Sequence, residues 1–177
     1  MSTSDLAPAR RASTGTTTAY NVGLLVLRPG VGLIMFISGT QKLFGWFGGG
    51  GIKVTGGYFA KAGYPASEAM AVIAGLTETL GGVGVILGLV TPLAAAGIFG
   101  VVINAMDVKW TGAILGPEGI EFEVLLAVAA ASIALAGPGR YAVDHYIPVL
   151  RQHRLVYGVA ALALATVLAA VVVLIRH

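Results

Sequence analysis

The chain has 177 residues, of which 56% are hydrophobic and only 11% are charged, whereas roughly a quarter of the residues in an average soluble domain are charged. This composition excludes an ordinary water-soluble fold and predicts an all-α protein with several helices that cross a membrane. The chain has no cysteine, which excludes disulfides and thiolate-bound clusters, and its net charge of +3 is scattered around apolar segments, so we expect no nucleic-acid partner.

Five apolar runs predict five membrane crossings. Residues 1–20 come first, are rich in Ser, Thr and Ala without an apolar period, and predict a disordered tail. The runs then follow in chain order over residues 22–43, 69–90, 93–106, 122–136 and 155–175. Only Thr91 and Pro92 separate the second run from the third, and proline at a first helical position predicts a tight antiparallel hairpin there.

Basic residues suggest an orientation in the cell membrane. With five crossings, one side of the membrane carries most of the arginines, namely Arg10, Arg11, Arg140, Arg151 and Arg154. Lys and Arg favour the cytoplasmic side, so we expect the N-terminus to be cytoplasmic in a multi-pass plasma-membrane protein. The opposite side holds Lys53, Lys61, Lys109 and Arg176, and the difference between the two sides is small.

Two ionisable residues lie deep inside the predicted spans. Arg28 precedes Pro29 in the first run, and Glu78 follows Thr77 near the middle of the second. A charge at the centre of a span costs roughly 3 kcal/mol on insertion scales, so a charge that is retained there usually faces a partner or a wet cavity. The boundaries of the runs place Arg28 and Glu78 at similar depths in antiparallel helices. We therefore predict that these two side chains pair with each other.

This predicted pair has two interpretations. In the structural one, the ion pair only fixes the register of two helices. In the functional one, Glu78 accepts a proton or anchors a ligand in a polar pocket. The residues alone favour the structural interpretation slightly, because no His, Cys or second acid at this depth completes a catalytic set.

A second polar cluster is predicted where the first span ends. Gln41 and Lys42 lie at that end, and Glu121 begins the fourth span, so we expect Lys42 to pair with Glu121. Asn104, at the end of the third span, adds a polar group to the same side. Acids at a helix N-terminus also interact favourably with the helix dipole, and this simpler explanation is stronger for Glu123 than for Glu121.

The connection from residue 44 to residue 68 is the longest loop between the predicted spans. It combines many glycines with the aromatic residues Trp46, Phe47, Tyr58, Phe59 and Tyr64. Such a loop could close over the bundle as a lid, but the commoner structure is a flexible loop that aromatic residues anchor at the membrane interface.

The polar and glycine positions together resemble the DoxX family over about residues 25–146. The resemblance rests on the following residues: Leu27-Arg28, Gly32, Phe36, Gly39 and Lys42-Leu43-Phe44-Gly45; Thr77-Glu78, Gly81-Gly82 and Leu87-Gly88; Gly119-Ile120-Glu121-Phe122; and Gly137-Pro138-Gly139-Arg140-Tyr141 with Asp144. It implies a four-helix membrane domain over residues 21–147, with intramembrane charges at Arg28, Lys42, Glu78 and Glu121. Residues 148–177 would then add a basic loop and one further C-terminal transmembrane helix.

The resemblance also implies an association with redox physiology. DoxX-like proteins include the small subunit of a thiosulfate:quinone oxidoreductase, and others join superoxide dismutase and a sulfurtransferase in membrane complexes. The implied function is an accessory subunit of a redox, sulfur-compound or oxidative-stress system, without catalytic activity of its own. A quinone is the one cofactor that the resemblance suggests, and the expected partners are the lipid bilayer and redox proteins or a second copy of the chain. The alternatives are a small-molecule or lipid transporter and a non-catalytic scaffold.

Overall fold

A computed structural model describes residues 7–148, 150 and 154–176, with the backbone alone for residues 7–16. Six helices make up most of the described chain, and no strand occurs in it. Their bounds are α1 Ala7–Phe44, α2 Gly51–Lys61, α3 Ser67–Leu87, α4 Thr91–Lys109, α5 Glu121–Ala136 and α6 Leu155–Arg176. Two short 3₁₀ turns lie at Trp46–Gly48 and Val143–Tyr146. The prediction of an all-α helix bundle is confirmed.

Four of the helices are long and apolar enough to cross a membrane. These segments are Thr17–Phe44, Ser67–Leu87, Thr91–Lys109 and Leu155–Arg176. The predicted fourth crossing corresponds to α5, which has 16 residues and is therefore only about 24 Å long. α5 nevertheless extends from one end of the bundle to the other, because Glu123 contacts Lys109 and the carbonyl of Ala136 accepts a hydrogen bond from Tyr20.

The first helix begins earlier than the composition predicted. α1 starts at Ala7, whereas a disordered tail was predicted up to residue 20. Propagating a helix from an already formed span is much easier than nucleating a new one, and the alanines and arginines of this segment have good helix propensity. Residue 20 is therefore not a boundary in the structure, and residues 1–6 lie outside the described part of the chain.

Glycines bring α1 and α3 into close antiparallel contact. A Cβ atom added at Gly82 would lie 2.6 Å from the carbonyl oxygen of Gly32, and one added at Gly39 would lie 2.6 Å from the carbonyl oxygen of Gly75. Side chains cannot be accommodated at such distances, so the two backbones touch directly, as small residues permit between membrane helices. The glycine contacts therefore fix the register: residue 32 lies opposite residue 82, and residue 39 opposite residue 75.

The predicted hairpin between α3 and α4 is also confirmed. Gly88 ends α3 in the left-handed conformation with φ 69°, which glycine adopts without a steric penalty. Val90 follows with φ 47°, and Pro92 lies in the first turn of α4. The connection thus needs only Gly88, Leu89 and Val90.

The bundle has two distinct ends. One end contains the α3–α4 connection, the end of α5 and the start of α6, and we call it the hairpin end. The opposite end, which contains Phe44, α2, Ser67, Lys109, Glu121 and Arg176, is the loop end. The C-terminal helix α6 packs on α4 and α5, and Gly100 faces Ala165 at its contact with α4.

Candidate functional site

A buried carboxylate in α3 forms an ion pair with the last turn of α1. Glu78 is only 4% exposed, and its Oε2 atom lies 2.7 Å from the Nζ atom of Lys42. The same ammonium group donates a hydrogen bond of 2.8 Å to the hydroxyl of Ser38, so it bridges Ser38 and Glu78. Lys42, Ser38 and Glu78 therefore form a polar cluster inside the apolar bundle, which we call the triad.

Helix geometry explains why the charge of Lys42 points into the bundle. Helical side chains lean toward the N-terminus of their own helix. Lys42 lies near the C-terminal end of α1, so its side chain leans back along α1 to Ser38, one turn earlier, and toward Glu78. The side chain of Lys42 remains 24% exposed, and the triad is therefore accessible from one side.

The predicted pair of Arg28 and Glu78 is wrong. Arg28 donates hydrogen bonds to the carbonyl oxygens of Pro138, Ile86 and Tyr141 instead. The register set by the glycines places Arg28 opposite residue 86, near the hairpin end and about 12 Å along α3 from Glu78. The prediction failed because the start of the first apolar run was taken as level with the end of the second helix, whereas Gly88, which ends α3, lies opposite residue 26 in this register, so Arg28 is only about two residues from that end.

Arg28 instead joins three segments at the hairpin end. Arg28 is 2% exposed, and its guanidinium group binds the carboxyl end of α3 and the loop that follows α5. Cations are favourable at the C-terminus of a helix, where carbonyl groups have no intrahelical partner. Each guanidinium bond goes to a backbone carbonyl, so Arg28 has a structural role in the described residues.

Asp144 completes this network. Its carboxylate is 1% exposed and accepts hydrogen bonds from the backbone amides of Val90 and Thr91, at 2.7 and 2.9 Å, and from the hydroxyl of Thr91, at 2.8 Å. These amides open α4, so Asp144 caps that helix from more than fifty residues away. It is also the charge that interacts with Arg28. In the sequence, Asp144 stood out only through the family resemblance, since a cap supplied from a distant loop has no local signal.

The predicted pair of Lys42 and Glu121 is wrong as well. Glu121 is exposed and forms no ion pair with any described residue. Its neighbour Glu123 is buried and binds Lys109. Two residues along a helix differ by roughly 200° in direction, so only one of these two acids can face the bundle, and Glu123 is the one that does.

The remaining predicted site residues do not join the triad. Gln41 donates a hydrogen bond to the carbonyl of Phe47 in the loop that follows α1. Thr77 donates to the carbonyl of Ile73 within α3. Asn104 donates to Gly100 in α4, and its buried side-chain oxygen has no partner among the described residues. The structure thus brings together Lys42 and Glu78 and adds Ser38, whose only sequence signal is its position one turn before Lys42.

The C-terminal helix α6 contacts the rest of the bundle at the loop end through Arg176. Arg176, at the end of α6, forms an ion pair with Asp107 of α4. Its guanidinium carbon lies 5.7 Å from the ring centre of Tyr64, close enough for a cation–π interaction. Burial raises the pKa of the Tyr64 hydroxyl, and the charge of Arg176 opposes this rise. The last residues of α6 therefore contact both α4 and the connection between α2 and α3.

The triad can bind a polar group that enters from the apolar phase. An ammonium group has three donors, and the protein uses two of those on Lys42. Carboxylate oxygens have several lone pairs, so Glu78 can accept a further hydrogen bond. The triad can therefore offer a ligand one charged donor and one acceptor side by side, while Gly39 and Gly75 keep the adjacent helices in contact. No group of residues suited to hold a metal ion occurs among the described residues.

Comparisons with known proteins agree with the resemblance found in the sequence. A family model described as DoxX matches residues 23–113. A protein of Bacillus subtilis (strain 168) named "Putative oxidoreductase CatD" is 30% identical over 130 residues, which cover 73% of this chain and 90% of that protein. No solved structure matches the chain.

Proposed function

Because the chain belongs to the DoxX family, we propose that it is an accessory membrane subunit of an oxidoreductase system and that it binds a quinone-class ligand at the triad. The redox part of this proposal is supported by the relative that is named an oxidoreductase. The sulfur-compound and oxidative-stress systems implied by the resemblance are the settings in which we would look for the partner enzyme.

The observation that carries the proposal is the buried ion pair between Glu78 and Lys42. A buried ion pair is weak evidence for stability, because removing two charges from water costs about as much as their attraction returns. Ionisable groups inside a span are therefore functional candidates by default. Arg28 is the other buried charge of α1, and its bonds to three carbonyls explain it structurally. The triad also joins α1 to α3, but the glycine contacts already set the register of these two helices without it.

The chemistry of the triad fits a quinone. A quinone carbonyl oxygen requires a hydrogen-bond donor, which Lys42 can supply, and the hydroxyl of the reduced form requires an acceptor, which Glu78 can supply. The apolar tail of such a ligand would remain in the hydrocarbon beside α1 and α3. In this proposal the chain binds and orients the ligand, and the partner enzyme carries out the oxidoreductase chemistry.

Purification in mild detergent followed by solvent extraction tests the proposal. We expect quinone to co-purify with the wild-type protein and to be lost from Glu78→Gln and Lys42→Met. Glu123→Gln is the matched control, because it removes another buried acid of the bundle that pairs with a lysine, and it should retain the quinone. Absence of quinone from the wild-type protein, together with unchanged quinone-linked thiosulfate oxidation in a deletion strain, would refute the proposal.

A charge swap separates ligand binding from scaffolding. If the pair only fixes the register of α1 and α3, the double variant Lys42→Glu/Glu78→Lys should restore both assembly and function. A binding site should regain folding but not the quinone, because Ser38 and the donor–acceptor order would be mismatched. Altered solute uptake or membrane-lipid composition in Glu78→Gln, with quinone binding intact, would favour the transporter alternative.

We also propose that the protein lies in the plasma membrane with its hairpin end toward the cytoplasm. Arg140 and Arg154 lie at this end, and the positive-inside rule supports the orientation. A reporter enzyme fused after His177 tests it, because the end of α6 would then be outside. Cytoplasmic activity of that fusion would contradict the orientation.

A further inference from the structure

The short helix α2 and the turn before it form an exposed surface that nothing in the described chain covers. α1 ends at Phe44 and α3 begins at Ser67, so the segment between them lies where two membrane-spanning helices leave the bilayer. Four of its apolar side chains are more than half exposed: Trp46, Phe47, Val54 and Tyr58. We call these four residues, with Lys53 and Lys61, the α2 surface.

One side of α2 packs on the bundle and the other does not. Gly56 is buried, and a Cβ atom there would lie 2.8 Å from the Cγ atom of Glu68 at the start of α3. Residues four apart lie on the same stripe of a helix. Lys53, Gly57 and Lys61 form one exposed stripe, and Val54 and Tyr58 form the stripe beside it. The outer face of α2 therefore carries cationic and apolar side chains next to each other.

The charges of this face are unbalanced. α2 contains two lysines and no acid, and neither lysine forms an ion pair with any described residue. Glu68 is exposed nearby but pairs with neither of them. The exposed acid Glu118 belongs to the separate connection between α4 and α5, and the exposed acid Glu121 begins α5. The α2 surface is thus a local positive patch with aromatic side chains around it.

We propose that the α2 surface lies in the headgroup layer of the bilayer and binds anionic phospholipids. Tryptophan and tyrosine concentrate at this depth because their rings are amphipathic. Amphipathic helices with lysines beside apolar residues lie in the plane of the same layer. The phosphate groups of anionic lipids complement Lys53 and Lys61, and the acyl chains of these lipids contact Val54 and Tyr58. A lipid fits this surface better than a protein does, because both neighbouring helix ends place it at the membrane boundary.

Lipid retention by the full-length protein provides the first test. The protein is extracted from membranes of mixed phosphatidylcholine and phosphatidylglycerol, and the retained lipids are counted by native mass spectrometry. Wild type should retain phosphatidylglycerol preferentially, and Lys53→Gln/Lys61→Gln should lower this preference by about 30-fold, since each lysine near the surface contributes roughly a factor of five. Glu118→Gln/Glu121→Gln, the matched control on the same side, should keep the preference.

Trp46 provides a second test that does not depend on retained lipid. Trp110→Phe leaves Trp46 as the single tryptophan of the chain. In nanodiscs its fluorescence should be quenched by lipids brominated near the headgroup and protected from aqueous iodide. Equal retention of the two lipids by the wild type, an unchanged preference in the lysine variant, or free quenching of Trp46 by iodide would overturn the proposal. So would a stoichiometric protein partner that binds the α2 surface without any lipid preference.

Discussion

Removal of the Asp144 carboxylate should destabilise the bundle more than most single substitutions. The carboxylate accepts three hydrogen bonds and is almost completely buried. Hydrogen bonds to a charged group contribute roughly 1.5–3 kcal/mol each, and buried donors that lose their partner cost roughly 1–3 kcal/mol. Asp144→Ala leaves the amides of Val90 and Thr91 without that acceptor at the start of α4. We expect the free energy of unfolding to fall by about 3–6 kcal/mol.

Two further substitutions in the same network should destabilise the bundle less than Asp144→Ala does. Asp144→Asn keeps one acceptor oxygen but presents an NH₂ group where an amide donor needs an acceptor, so it should lose about 2–3 kcal/mol. Thr91→Val removes only the hydroxyl bond and should lose about 1 kcal/mol. Reversible unfolding in mixed SDS micelles, followed by circular dichroism, measures all three values. Glu118→Ala, an exposed acid at the loop end, is the control, and a loss for Asp144→Ala no larger than for this control would refute the reasoning.

Three more predictions concern the helix contacts. Gly82→Ala should lower the free energy of unfolding by about 1–3 kcal/mol, because the new Cβ atom would meet the backbone of Gly32. Gly23→Ala is the control. It has open space around the new methyl group and should be neutral or slightly stabilising in the same SDS titration. Arg176→Met should cost about 1 kcal/mol and increase the proteolysis of the end of α6, with Lys61→Met as the unpaired control. Burial raises the pKa of Tyr64 above 10.0, so its contribution to stability is complete below pH 10 and is lost as the pH rises through the folded-state pKa; Tyr64→Phe should flatten the stability profile above pH 10.

The sequence predicted the architecture well because the architecture depends on local patterns. Long apolar runs and a proline at the start of a helix can be recognised without knowledge of the neighbouring helices. The hairpin at Pro92 and the separate C-terminal helix follow from such patterns alone. The start of α1 could not be predicted in this way. A helix that continues from a stable span into a polar segment shows no change of composition at the residue where it begins.

The partners in the ion pairs could not be predicted, because they depend on the register between neighbouring helices and on the direction in which each side chain points. A depth estimate from the start of an apolar run missed the register of Arg28 by about two helical turns, while the contact of Gly39 with Gly75 fixes the true register in the structure. The choice between Glu121 and Glu123 depends on which face of α5 points inward, and both acids lie in the first turn of a helix whose other residues are almost all apolar. The correct residue types had been identified, but the partners of Lys42 and Arg28 required the three-dimensional packing.

The bonds of Arg28 have a consequence for biosynthesis. Its acceptors Pro138 and Tyr141 lie 110 and 113 residues later in the chain, so at ordinary translation rates they leave the ribosome about 5–20 s after Arg28. Before that time, only the carbonyl of Ile86, 58 residues after Arg28, can accept a hydrogen bond from the guanidinium group. The hydrogen-bond network of Arg28 is therefore completed only after the loop that follows α5 has been synthesised.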